Sequence, residues 1–91
     1  MIVKSFKTSD AEFIAEIVDQ REDICIIKNP LCLIPTEQGV MPIPYIMTGK
    51  GPFKINIALL LIEPFEPIEN VVNMYKEKFG GIVTSSPKLV L

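Results

Sequence analysis

Ala11-Glu12-Phe13-Ile14-Ala15-Glu16-Ile17-Val18-Asp19 decides the fold. Phe13, Ala15 and Ile17 fall at every second position, with Glu12 and Glu16 interleaved. A period of two sends alternate side chains to opposite faces of an extended chain, so the stretch predicts a strand with one buried face. Ile14 and Val18 share the face of the two glutamates. Two expectations follow for them, incidental apolar leakage or contact with a neighbouring subunit. Upstream, Ile2–Lys7 mixes β-branched and aromatic residues with Lys and Ser, and Thr8-Ser9-Asp10 reads as a turn. Residues 2–19 therefore predict a hairpin.

Downstream, Gln20-Arg21-Glu22-Asp23 is a second polar turn. Ile24-Cys25-Ile26-Ile27 does not alternate and predicts a third strand buried on both faces. Asn29-Pro30 predicts a bend, after which Leu31–Ile34 continues as strand. Thr36–Gly39 is a turn, and Val40–Met47 a fourth strand. Pro42 and Pro44 lie two apart, so both missing donors fall on one edge, which predicts an edge or bulged strand. Thr48-Gly49-Lys50-Gly51-Pro52 has the composition of a mobile loop. Lys54–Ile62 predicts a fifth strand with Ile55, Ile57, Leu59 and Leu61 on one face and Leu60 on the outer one. Glu63–Pro67 stops it.

One helix is predicted over residues 67–79. Ile68, Val71, Val72, Tyr75 and Phe79 recur on one face of a 3.6-residue period. Pro67 suits the first turn, Glu66 and Glu69 complement its dipole, and Lys76 and Lys78 sit at the negative end. Gly80-Gly81 predicts a left-handed cap. The tail, residues 82–91, suggests one more strand or packing on a neighbour. The inventory predicts a single, mainly β domain over residues 1–91. It comprises a small open five-stranded antiparallel barrel over residues 1–64 and one C-terminal α-helix.

Composition narrows the function. A 91-residue chain buries only about 60–65% of its unfolded surface. With 48% hydrophobic residues and a mean hydropathy of +0.36, it is expected to leave apolar patches that join copies. Net charge is −2 and the sequence pI about 5.0, unlike a polyphosphate-binding surface. The two cysteines, Cys25 and Cys32, read as buried thiols of a reducing, cytoplasmic compartment. The first residues lack the apolar core of a signal peptide, and the longest apolar run, Ile57–Ile62, predicts no membrane span. Without histidine, the usual nucleophile–base pairs are absent, so no enzyme, metal or cofactor is expected. Gly49-Lys50-Gly51 leads into a strand and reads as a hairpin turn rather than a phosphate loop. Glu12, Glu16, Asp19, Glu22 and Asp23 read as a solvated face and turn.

The stretch Val3–Lys28 resembles the first motif of the Sm and Sm-like RNA-binding family. Asp10 stands at the turn, Ala15 at the small position and Ile17 at the apolar one. Asp19-Gln20-Arg21-Glu22-Asp23 matches the Asp-x-x-x-Asn spacing ahead of Ile24-Cys25-Ile26. The turn glycine is missing, and Asp23 replaces Asn. Across the chain, Lys7-Thr8, Glu12–Glu16, Lys28–Leu31, Ile62-Glu63-Pro64 and Asn73–Gly81 resemble the small Sm-like proteins of marine metagenomes and tailed cyanophages. The resemblance implies an open barrel assembling into a homo-oligomeric ring of about five to seven subunits. It also implies a helix placed after the barrel and a setting in an infected bacterial cell.

In that family the first-motif pair and an Arg-Gly of the second motif hold an unpaired base of single-stranded RNA. Carried over, Asp19 and Asp23 occupy the first pair, with Arg21 between them. No Arg-Gly precedes the fifth strand, where Lys50, Lys54 and Asn56 are nearest. Asp23 accepts but cannot donate as Asn does. The plainer expectation is that Asp19 and Asp23 shape a turn through their own backbone. Two functions are thus expected, an RNA-binding ring or a protein-interaction ring without nucleic acid.

Overall fold

A computed structural model describes residues 1–80. β1 (Ile2–Lys7), β2 (Glu12–Arg21), β3 (Ile24–Thr36), β4 (Gly39–Pro44) and β5 (Phe53–Asn56) form one antiparallel sheet. A 3₁₀ turn (Ile57–Leu59) and helix α1 (Glu69–Phe79) follow. The tail, expected to add a strand or to pack on a neighbour, lies outside the described residues.

The hairpin forms as the alternation predicts, from Ile2 opposite Ile17 to Lys7 opposite Glu12. Its turn is set by Thr8, whose Oγ1 accepts from the N–H groups of Asp10 (3.2 Å) and Ala11 (3.0 Å). β3 is the spine. β2 pairs along one side of it, while β4 (on Leu31–Thr36) and β5 (on Ile24–Ile27) share the other. The sheet stays open, because β5 has no strand partner but β3 among the described residues. Three backbone bonds tie the chain after the 3₁₀ turn to β1. Leu61 N–H donates to Lys7 O (2.9 Å), and Ser5 and Phe65 exchange bonds of 2.8 and 3.0 Å.

Two irregularities divide the sheet into layers. Between the pairs Ile14–Leu31 and Glu16–Lys28, Asn29 and Pro30 oppose Ala15 alone. Asn29 takes φ 54°, a left-handed conformation that Asn tolerates better than most residues. Between Ile17–Ile27 and Asp19–Ile26, Val18 is unopposed. An extra residue in a ladder bends the strand and reverses which parity faces inward. Cys25 and Ile27 therefore face the same interior as Cys32, and what reads as two strands around a bend is one bent β3.

The interior side holds Phe6, Phe13, Ala15, Cys25 and Ile27, with Ile17, Phe53, Ile55 and Leu60 packed against them. Cross-strand partners Phe6 and Phe13 stack at 5.0 Å, and Tyr45 extends the stack over Phe13 at 4.6 Å. The outer side holds Val3, Ile14, Leu31 and Tyr75, with Leu33, Val71 and Phe79. Ile14 is thus covered by the chain's own helix and not by a neighbouring subunit, whereas Val18 stays exposed. Tyr75 pins that helix to the bulge. Its hydroxyl accepts from Glu16 N–H (3.0 Å) and lies within donating distance of the carbonyls of Lys28 (3.0 Å) and Asn29 (2.9 Å). Complete burial pushes its hydroxyl pKa up to about 12.

Several boundaries differ from the sequence reading. Ile24 and Ile26 are only half-buried, because α1 covers the other half of their face. β4 ends at Pro44, after which Tyr45 N–H still reaches Pro30 O (2.9 Å). β5 stops at Asn56, whose Oδ1 accepts from Ala58 N–H (2.9 Å) and starts the 3₁₀ turn. That turn rotates Leu60 onto the interior core, while Leu59 and Leu61 face outward. α1 begins at Glu69 rather than Pro67, so Ile68 is its cap and is exposed. Gly81 of the expected left-handed cap lies outside the described residues, and Gly80, the C-cap, is right-handed (φ −78°). Gly80 is required there because a Cβ would fall on the Lys76 carbonyl, to which its own N–H donates.

Candidate functional site

The helix leaves half of the outer face bare, and the bulge at Val18 sets which residues line it. Ladder partners place Glu16 beside Lys28, Asp19 beside Ile26 beside Lys54, and Arg21 beside Ile24 beside Asn56. Side chains in one row project from the same face, and successive strands lie about 4.8 Å apart. Four expected site residues, Asp19, Arg21, Lys54 and Asn56, thus meet on one surface around Ile24 and Ile26. Glu16 and Lys28 belong to the same surface. Sequence spacing missed them because membership depends on the register past the bulges.

Asp19 spends its side chain on its own turn. Asp19 Oδ1 accepts from Gln20 N–H (2.9 Å), and its Oδ2 pairs with Arg21 Nε (3.0 Å). Both partners are substantially exposed, and such pairs contribute at most about 1 kcal/mol. Asp23 serves through its backbone, its carbonyl accepting from Ile57 N–H (2.8 Å) to join the turn to the end of β5. Asn56 spends its side-chain oxygen on the 3₁₀ turn. Beneath this face, burial and then the charge of Asp19 push the Cys25 thiol pKa up. The exposed face therefore presents cations from Arg21, Lys28 and Lys54 against carboxylates from Glu16 and Asp19.

Lys50 lies elsewhere. It leads into Phe53, at the opposite end of the β3–β5 ladder from Asp23, and lines a groove with Asn29, Lys78 and Phe79. The loop that carries it closes over the Phe53 ring. A Cβ at Gly49 would meet that ring at 3.0 Å, and one at Gly51 (φ +73°) at 2.8 Å. Phe53 is thus packed against its own loop.

At the free edge of β5, a cleft of 360 Å³ is lined by Phe13, Tyr45, Lys54, Asn56, Leu59 and Leu60. Since Ile57 N–H bonds Asp23 O, the residues bonded to β3 are the odd ones. The N–H groups of Lys54 and Asn56 therefore point away from β3, toward this side. Across the sheet, Tyr45 N–H bonds Pro30 O, so Val40, Pro42 and Pro44 point outward from β4. No group of three or more His, Cys, Asp or Glu side chains suited to a metal occurs among the described residues. None of their helices is long and apolar enough to cross a membrane. Comparison with protein-family models, curated proteins and solved structures finds no match.

Proposed function

We propose that the chain is the subunit of a homo-oligomeric ring, of the Sm-like kind its sequence resembles, acting as a protein-assembly scaffold. The complementarity of the two open sheet edges carries this reading. β4 presents carbonyls at Val40, Pro42 and Pro44, but only Val40 retains an outward N–H, since proline has none. β5 presents the N–H groups of Lys54 and Asn56. The β4 carbonyls of one copy can accept from the outward β5 N–H groups of the next, and a head-to-tail contact of this type closes a ring where the rotation between copies closes. Val40 and Met41 beside one edge, and Leu59, Leu61 and Ile62 beyond the other, are exposed apolar side chains available for burial.

Lys54→Pro tests the reading. It removes an outward N–H without touching the β3 ladder. Light scattering is expected to give a ring mass for the wild type and a monomer for the variant, with circular dichroism unchanged. A wild-type monomer, or an unaltered oligomer of the variant, overturns the reading.

The bare face of Arg21, Lys28, Lys54 and Asn56 favours a second reading, single-stranded RNA binding. Repetition around a ring multiplies weak contacts. Anisotropy of labelled oligo-U across a salt series checks it. Salt-sensitive binding that weakens in Lys28→Ala and Lys54→Ala supports RNA, and no binding leaves the scaffold.

A further inference from the structure

At the C-terminal end of α1 a groove of 230 Å³ opens between the helix, the β3 bulge and the β4–β5 loop. Its walls are apolar, from Pro30, Leu31, Pro44, Ile46 and Phe79. Lys50 and Lys78 also line it, and no carboxylate among the described residues does. Two different devices position these lysines. Lys50 is at the apex of the loop whose flanking glycines grip the Phe53 ring. The Lys78 ammonium lies 5.8 Å from the Phe79 ring centroid, within cation–π range of a groove wall.

Neither lysine has an ion-pair partner among the described residues, where the pairs are Lys4–Glu66 and Asp19–Arg21. The negative end of α1 accounts for a cation at Lys78, but not for one at Lys50 on another element. In a chain of net charge −2, two cations and no carboxylate of the described residues share a small apolar groove. Its charge is complemented by an anion and its walls by hydrocarbon.

We propose that this groove binds a small amphiphilic carboxylate, an aliphatic chain of medium length whose anionic head lies between Lys50 and Lys78. The groove touches the β4 edge only at Pro44, while its two lysines, Lys50 and Lys78, lie on the β4–β5 loop and on α1. Decanoate, held below its micellar concentration, is the probe, followed by amide chemical shifts, with hexanoate, octanoate and decanol for comparison. Decanoate is expected to shift Ile46, Lys50 and Phe79. Affinity should rise about fourfold per added methylene while the groove fills. The double variant Lys50→Met, Lys78→Met changes two exposed side chains. It should lose tenfold or more in decanoate affinity and keep its affinity for decanol. Equal binding of decanoate and decanol by the wild type overturns the proposal. So do shifts centred on Tyr45 and Leu59 instead, or no binding at all.

Discussion

Replacing Tyr75 by Phe removes one oxygen atom and leaves the ring in place against Phe79, with centroids 4.9 Å apart. The lost hydroxyl serves three backbone groups, Glu16 N–H and the carbonyls of Lys28 and Asn29. With no acceptor, the Glu16 N–H carries a desolvation penalty of roughly 1–3 kcal/mol, and the lost donation to a carbonyl adds about 0.5–1.5 kcal/mol. The sum is roughly 2–4 kcal/mol, a large share of the 5–15 kcal/mol typical of a domain. Urea unfolding should show a midpoint lowered by about 1–2 M at unchanged slope. The variant should also change the alkaline limb. Burial raises the tyrosine from its usual 10 to about 12, so the folded state holds this proton more tightly than the unfolded one. The contribution is complete below pH 10 and is lost as pH rises toward 12. Tyr75→Phe should lack that decline, whereas Tyr45→Phe, at a half-exposed ring, should keep it. A midpoint shift no larger than that of Tyr45→Phe would refute the claim that this hydroxyl locks helix to bulge.

Three further outcomes are expected. Gly51→Ala forces a side chain into a left-handed backbone and against the Phe53 ring, so thermal denaturation should report a loss of more than about 1 kcal/mol. Leu61→Lys should lower the oligomer mass in sedimentation at unchanged stability, whereas Leu60→Lys should unfold the subunit, because Leu60 packs on the core. Burial raises the pKa of both thiols, so a thiol-exchange reagent at pH 8 should react far more slowly with native Cys25 than with urea-unfolded protein; equal rates would contradict the packing.

The hairpin was legible because Phe13, Ala15 and Ile17 alternate without interruption, and the edge position of β4 because Pro42 and Pro44 admit few alternatives. The helix face was legible around Tyr75 and Phe79 but overextended to Ile68, since periodicity does not say where the first hydrogen bond forms. The bulges were the obscure part. Asn29-Pro30 advertised a bend but not a parity reversal, and Val18 carries no local signal at all. Membership of the bare face beyond the turn depends on that register, which is why Lys28 went unread and Glu16 was read only as part of a solvated face, while Asp19 and Lys54 met by a route that spacing does not reveal. β5 was overextended because Asn56 in an otherwise apolar run looks like one polar exception, not a cap.

The alternating prolines of β4 also bear on the behaviour of this chain at high concentration. An exposed strand edge flanked by Val40 and Met41 invites indefinite stacking of like upon like. Two β4 edges laid together would confront carbonyls with carbonyls at Pro42 and Pro44, so stacking of β4 upon β4 lacks its hydrogen bonds there. The strand thus acts as a plug without a matching socket on itself, and copies meeting there must meet with polarity.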